Sequence, residues 1–360
     1  MAHLFDSLKL RDIVLPNRIG LPPMCQYSAH DGVAADWHFV HYGTRATGGA
    51  GLMIVEATAV TAEGRISPGD LGLWNDGQIE PLARIARFAG EHGTVAAVQL
   101  AHAGRKAGIS LGWQEQRSLR ADEGGWATVA PSALSFGPGY DVPQALDEAG
   151  IRAVIDQFAA AARRARDAGF PIVEIHAAHG YLLHQFLSPL SNQRTDEWGG
   201  SFENRTRLVR EVARTVRAEW PERLPLLIRL SATDWVEGGW NIEETVALCR
   251  SLKELGIDLV DVSTAGLLPT AKIPVGPGFQ TEFAERVRHE ADLPVAAVGM
   301  ITSPAQADHI VRSGQADMVL LGRELLRNPY WPLAAARELG QPASWPKQYL
   351  RAAPAGSTGR

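Results

Sequence analysis

The chain has 360 residues, 45% hydrophobic and 21% charged, the make-up of an ordinary globular protein. Its formal net charge of -5 leaves no basic excess to displace counterions, which argues against a nucleic-acid partner, and no run of 18 apolar residues offers a membrane span. Two distant cysteines, Cys25 and Cys249, make neither a disulfide framework nor a zinc or iron–sulfur centre. The opening "MAHLFDSLKLRD" has no apolar signal segment, so the expected compartment is the cytoplasm.

In chain order, "LFDSLKLRDIVLPNR" predicts a short β-hairpin that plugs the bottom of the fold. Eight short apolar runs, rich in β-branched residues, follow at 17–24, 50–58, 94–101, 171–178, 224–232, 258–265, 294–300 and 317–324. Most are near-continuous rather than alternating, as expected of strands covered on both faces. Helical periods lie between them. In "LDEAGIRAVIDQFAAAARRARDAGF", Ile151, Val154, Ile155, Phe158 and Ala162 share one stripe, with Asp147 as cap and Gly169 as stop. "IEETVALCRSLKELGIDLV" repeats the scheme and stops at Gly256. Eight such units predict an α/β chain folded as a single (β/α)8 TIM barrel over 1–360. A doubly wound sheet is the alternative, but no G-x-G-x-x-G follows an early strand. The Gly-, Pro- and Trp-rich stretch from Ala103 to about Leu146 follows the third strand and is expected to lie over the mouth as a lid. The tail "RAAPAGSTGR" reads as disordered or partner-bound.

Barrels of this kind place their chemistry at the C-terminal ends of the strands. Those ends carry Pro22, Pro23, Met24, Cys25, Gln26 and Tyr27; Glu56, Ala57 and Thr58; Gln99, His102, Arg105 and Lys106. Later ends carry His176, His179 and Tyr181; Arg229; Val298, Gly299 and Met300; and Gly322 with Arg323. Without a carboxylate cluster, two-carboxylate hydrolysis and hard-metal chemistry are poor readings. Gly299, Gly322 and Arg323 suit a phosphate, because glycine lets backbone N–H groups approach an anion and arginine adds a bidentate clamp. The bland alternative is that these glycines only relieve crowding. For His176 and His179 three readings stand: metal ligands, which need a third ligand and an open site, with Glu174 in strand register with His176 able to face the same way; a satisfied structural pair; or two ring N–H donors converging on one oxygen. The last is favoured, and it matters if charge develops on that oxygen. Cys25 alone is a small buried hydrophobe. Gln99 and Arg229, taken with a phosphate site, match a planar heterocycle with an N–H/C=O edge, a flavin.

Several long stretches carry a resemblance: "PPMCQYSA", "DWHFVHYGTRATGGAGLMIVEATAV", "QLAHAGRKA", "EIHAAHGYLLHQFLSPLSNQRTDEWGGSFENRTR", "AVGMI" and "GRELLRNPYW". Through them the sequence resembles the Old Yellow Enzyme family of flavin-dependent ene-reductases, in particular its thermophilic-like and xenobiotic reductase class. The resemblance implies non-covalent FMN, reduced by NADPH or NADH. It implies reduction of activated C=C bonds in α,β-unsaturated carbonyl or nitro compounds, by hydride transfer from flavin N5 to the β-carbon and protonation at the α-carbon. Carried over, Pro22, Pro23, Met24 and Cys25 line the flavin, and Ala57, Gln99 and Arg229 bind its ring. Val298, Gly299, Met300, Gly322 and Arg323 hold ribityl and phosphate. His176 and His179 hold the substrate oxygen, Tyr181 gives the proton, and Tyr27 stands near the substrate. Arg351, in "QYLR", is the expected finger into a neighbouring subunit's site in a homodimer or homotetramer, with the tail from about 345 to 360 reaching across. The alternatives are another FMN-barrel reductase acting on quinones or nitro and xenobiotic compounds, a flavin-free barrel lyase or isomerase, and an idle flavin-binding module.

Overall fold

The computed structural model describes residues 2–359. Strands β1 (Leu8–Leu10) and β2 (Ile13–Leu15) form an antiparallel hairpin in which Leu8 faces Leu15. Then come β3 (Ile19–Leu21), α1 (Asp36–Thr47), β4 (Leu52–Ala59), α2 (Ile79–Glu91) and β5 (Val95–Ala101). Two-residue strands β6 (Val129–Ala130) and β7 (Gln144–Ala145) interrupt the long connection to α3 (Glu148–Asp167) and β8 (Ile172–Ala177). The chain continues through α4 (Leu182–Leu187), α5 (Phe202–Arg205), α6 (Arg207–Glu219), β9 (Leu226–Ser231), α7 (Ile242–Glu254) and β10 (Leu259–Ser263). It closes with α8 (Thr281–Ala291), β11 (Val295–Val298), α9 (Pro304–Arg312), β12 (Met318–Leu320), α10 (Gly322–Arg327) and α11 (Trp331–Glu338).

Parallel pairing closes β3, β4, β5, β8, β9, β10, β11 and β12 into one eight-stranded barrel, a TIM barrel. Each of the eight apolar runs coincides with one of these strands, β4 extending one residue past its run. β4 is buried at every position, which is why its sequence is apolar on both faces. Helix α3 buries the stripe Ile151, Val154, Ile155, Phe158 and Ala162, and Asp147 caps it by accepting from the Gly150 N–H at 2.8 Å.

The hairpin does plug the barrel. Leu10 and Leu15 pack with Leu52, Ile54, Ala97, Ile172, Leu227 and Leu259 in a separate apolar cluster. Each fully buried leucine there contributes roughly 1.5–3 kcal/mol. At the other end, the long segment after β5 lies down on the mouth. Its Ala103, Ala107 and Ile109 join Ala57, Ile66 and Ala101, with Cys25, Trp126, Tyr140 and Tyr181 packed alongside. The tail differs from a disordered one: β13 (Ser344–Trp345) pairs in parallel with β14 (Thr358–Gly359), so the described tail folds back on itself. No helix among the described residues is long and apolar enough to cross a membrane.

Candidate active site

The histidine turn starts at the end of β8. His176 is buried, and its ring meets those of His179 and Tyr181 edge to face, at centroid distances of 5.3 and 5.0 Å. The chain then turns sharply. His179 sits at φ 58° and Gly180 at φ 69°. A Cβ on Gly180 would lie 2.1 Å from the Gly266 carbonyl oxygen, so only glycine lets this turn press against the turn after β10. Side chains pin the strained backbone. Ser231 Oγ accepts from the His179 N–H at 2.9 Å, and His184 Nδ1 accepts from the Gly180 N–H at 2.9 Å. Lys106 Nζ donates to the carbonyls of His179 (2.8 Å) and Gly266 (3.0 Å) and lies 4.8 Å from the Tyr181 ring centroid.

Electrostatics fix the protonation states. Burial, reinforced by Arg229 and Lys106, pulls both imidazoles well below the usual histidine range. Each ring is therefore neutral and keeps one N–H to donate. His179 Nε2 lies 2.8 Å from Ser263 Oγ, which can give or take that hydrogen bond. Burial pushes the Tyr181 phenol well up, so it holds its proton at neutral pH. Burial, with Arg105 beside it, brings the Lys106 ammonium down to about 7. Among the described residues no three His, Cys, Asp or Glu side chains cluster to hold a metal ion.

The segment Pro22–Tyr27 leaves β3 along the mouth. Glu56 holds it by accepting from the Gln26 N–H at 2.7 Å. Glu56 occupies a register shift in β4 between Val55 and Ala57, so the irregularity lies beside the expected cofactor residue. Burial raises the Glu56 carboxyl to about 8. It also raises the Cys25 thiol well up, helped by Asp70 and Glu56, so the thiol is neutral. Tyr27 sits at φ 50°, with the exposed Trp113 of the lid edge-on to its ring at 5.8 Å.

On the far side, a cavity of about 320 Å³ is bounded by Val298, Gly299, Met300, Gly322 and Arg323, joined by Phe279 and Gln280. A Cβ on Gly299 (φ 130°) would come within 3.0 Å of Gln280 Nε2 and 3.2 Å of the Phe279 ring, so a side chain would crowd this space. Arg323 has no ion-pair partner among the described residues. Gln99 donates from Nε2 to Glu174 Oε1 at 2.8 Å, leaving its Oε1 without a partner among the described residues. Arg229 lies 2.8 Å through Nε from Asp261 Oδ2. Such a set suits FMN: an unpaired cation and open backbone for a phosphate, and a free amide oxygen and a guanidinium among the barrel strands for the edge of a flat ring.

Arg351 stands apart. It is exposed in a short 3-10 segment, Lys347–Ala352, and its side chain makes no ion pair or hydrogen bond among the described residues. Sequence reasoning noted Lys106 and Glu174 without assigning them work, and passed over Asp261, Ser263 and Gln280. Only Asp261 left a signal, as an acid inside an apolar strand run.

The family model described as the NADH:flavin oxidoreductase / NADH oxidase family matches residues 3–341. An NADPH dehydrogenase of Geobacillus sp. (strain WCH70) is 47% identical over 350 residues, which is 97% of this chain and 98% of that protein. The Old Yellow Enzyme homologue of Zymomonas mobilis superposes with a TM-score of 0.79 at 28% identity, covering 94% of this chain and 93% of that one. A 2-naphthoyl-CoA reductase superposes with a TM-score of 0.84 at 25% identity over 94% of this chain, which spans only 52% of that longer protein. The chain belongs to the NADH:flavin oxidoreductase / NADH oxidase family and is an FMN-dependent oxidoreductase that draws its electrons from NAD(P)H.

Proposed function

We propose that the enzyme reduces activated C=C bonds, those conjugated to a carbonyl or nitro group. The observation that carries this reading is the trio His176, His179 and Tyr181: two neutral imidazoles and a protonated phenol, ring against ring. Bound FMN supplies the redox chemistry, storing two electrons from NAD(P)H and passing a hydride on.

The chain's own residues do the rest. Gln99, Arg229 and Ala57 hold the ring system, and Pro22, Pro23, Met24 and Cys25 line it. Val298, Gly299, Met300, Gly322 and Arg323 take the ribityl chain and phosphate. His176 and His179 donate to the substrate's carbonyl or nitro oxygen. That withdraws electron density from the β-carbon and stabilises the negative charge that gathers on the oxygen as the bond is reduced. Neutral imidazoles suit the task, because a donor is needed and a full cation buried beside Arg229 and Lys106 would be costly. Tyr181 supplies a proton to the α-carbon, and Lys106 steadies it through the ring contact. Tyr27 and the lid residue Trp113 close the mouth around the substrate. Arg351, unpaired among the described residues of its own chain, reaches a neighbouring copy's mouth in a homodimer or homotetramer. Arg351→Ala then raises the KM for an enone while FMN content stays at the wild-type level.

One donor of this kind is worth about 3 kcal/mol, so losing either slows the chemical step by roughly a hundredfold or more. Stopped-flow oxidation of the reduced enzyme by 2-cyclohexenone is the test. Slow reoxidation in both His176→Ala and His179→Ala is expected; wild-type rates in both contradict the donor role.

A further inference from the structure

Below the histidine turn the barrel holds a belt of four polar side chains. Strand register sets Gln99 on β5 opposite Glu174 on β8, and Arg229 on β9 opposite both His176 and Asp261. Glu174 and Asp261 are wholly buried. Glu174 Oε1 accepts from Gln99 Nε2 at 2.8 Å, while its Oε2 has no hydrogen-bond partner among the described residues. Asp261 Oδ2 lies 2.8 Å from Arg229 Nε, but off-line, and neither Asp261 oxygen is hydrogen-bonded among the described residues.

Two buried acids around one cation are an expensive way to fill a barrel, since an apolar layer just beneath does the same packing without desolvated charge. Their contacts point to another purpose. Each acid touches one of the two polar side chains assigned above to hold the flavin ring. Glu174 turns the Gln99 amide so that its NH2 faces the strand wall and its carbonyl oxygen is left free. Asp261 holds the inner edge of the Arg229 guanidinium and leaves the terminal nitrogens free. We propose that Glu174 and Asp261 are positioning residues for the cofactor, orienting Gln99 and Arg229 and setting the charge that the flavin ring experiences, and hence its potential. This inference rests on the assignment of Gln99 and Arg229 to the ring.

The charged and titratable groups facing Glu174 are Arg229 on β9 and Asp261 on β10, with neutral His176 on its own strand and the Gln99 amide on β5. Burial pushes both carboxyls up. Asp261 drives Glu174 further, to about 8, while Arg229 pulls both back. At neutral pH Glu174 therefore carries its proton, and Asp261 balances Arg229. Ionising Glu174 adds a negative charge near the ring and opposes its reduction.

The test uses the FMN-loaded enzyme and reads FMN dissociation constants by fluorescence and midpoint potentials from pH 6 to 9. Glu174→Ala leaves Gln99 unheld and weakens FMN binding about tenfold, and Glu174→Gln, which can still accept from Gln99, restores most of it. Raising the pH through 8 lowers the wild-type potential relative to Glu174→Gln by about 30 mV, the equivalent of a tenfold change for a two-electron couple. Asp261→Asn raises the potential at pH 7 by a similar amount. Wild-type affinity and potential in every variant overturn the proposal while leaving the FMN assignment intact. A wild-type protein that binds no FMN sinks both. If the Asp261 variant does not fold, the Glu174→Gln comparison decides alone. If neither folds, the wild-type profile decides beside that of Glu56→Gln, which removes the other acid raised to about 8: an inflection near pH 8 that free FMN lacks and that Glu56→Gln keeps supports the proposal, and its absence overturns it.

Discussion

The two ends of the barrel are built from the same strands on opposite plans. At the bottom, Leu10 and Leu15 of the hairpin meet Leu52, Ile54, Ala97 and Ile172 in an all-apolar cluster. At the mouth, Tyr27, His179, Trp235, Ala265 and Met300, none of them glycine, adopt the left-handed backbone region after β3, β8, β9, β10 and β11. Residues in that region cost of order 1–3 kcal/mol each. Buried titratable groups crowd the same end: His176, His179, Tyr181, Lys106, Glu174 and Asp261. The bottom supplies stability that the mouth spends on placing polar groups where water cannot reach them.

Four changes can break or sharpen this contrast. The largest effect belongs to Tyr181→Phe, which keeps the ring and removes the proton; oxidation of reduced enzyme by an enone slows by roughly 10²–10⁴, with the fold intact by circular dichroism. Equal rates in variant and wild type remove Tyr181 from the chemistry. Next comes Leu15→Ala, at the opposite end. It costs roughly 2–5 kcal/mol of stability in denaturant unfolding, yet the folded fraction keeps wild-type turnover. A turnover defect without lost stability inverts the contrast.

A smaller, pH-dependent effect comes from Glu56. Its folded pKa of about 8 lies above that of an unfolded glutamate, so its contribution is fully present at low pH and is lost as pH rises towards 8. The thermal midpoint of Glu56→Gln, relative to wild type, therefore climbs between about pH 5 and pH 8 and then levels; a pH-independent difference refutes the buried-acid assignment. The smallest effect is Asp147→Ala, which removes the α3 cap at a cost of about 1 kcal/mol and leaves turnover untouched.

Much of this was legible in the sequence. The barrel strands announced themselves because a strand covered on both faces must be apolar throughout, and the hairpin and lid followed from their place beside those strands. His176, His179 and Tyr181 could be grouped because a single turn carries all three. What stayed hidden depends on register across the barrel. Asp261 shows as an acid in an apolar run, but its pairing with Arg229 comes from β9 lying beside β10. Lys106 shows as a lysine after β5; that it clamps two left-handed turns is a consequence of where the lid comes down. Gln280 reaches the cavity from a loop with no periodic pattern at all.

On the function proposed here, this mouth delivers hydride equivalents to an electron-poor alkene held by two neutral imidazoles. The most direct measurement is anaerobic: reduce the FMN-loaded enzyme with one equivalent of NADPH, add 2-cyclohexenone, and follow flavin absorbance and product together. The yellow colour is expected to bleach, to return on mixing, and to leave one equivalent of cyclohexanone. Flavin that stays reduced in the presence of the enone, or reoxidises without forming the saturated ketone, contradicts it.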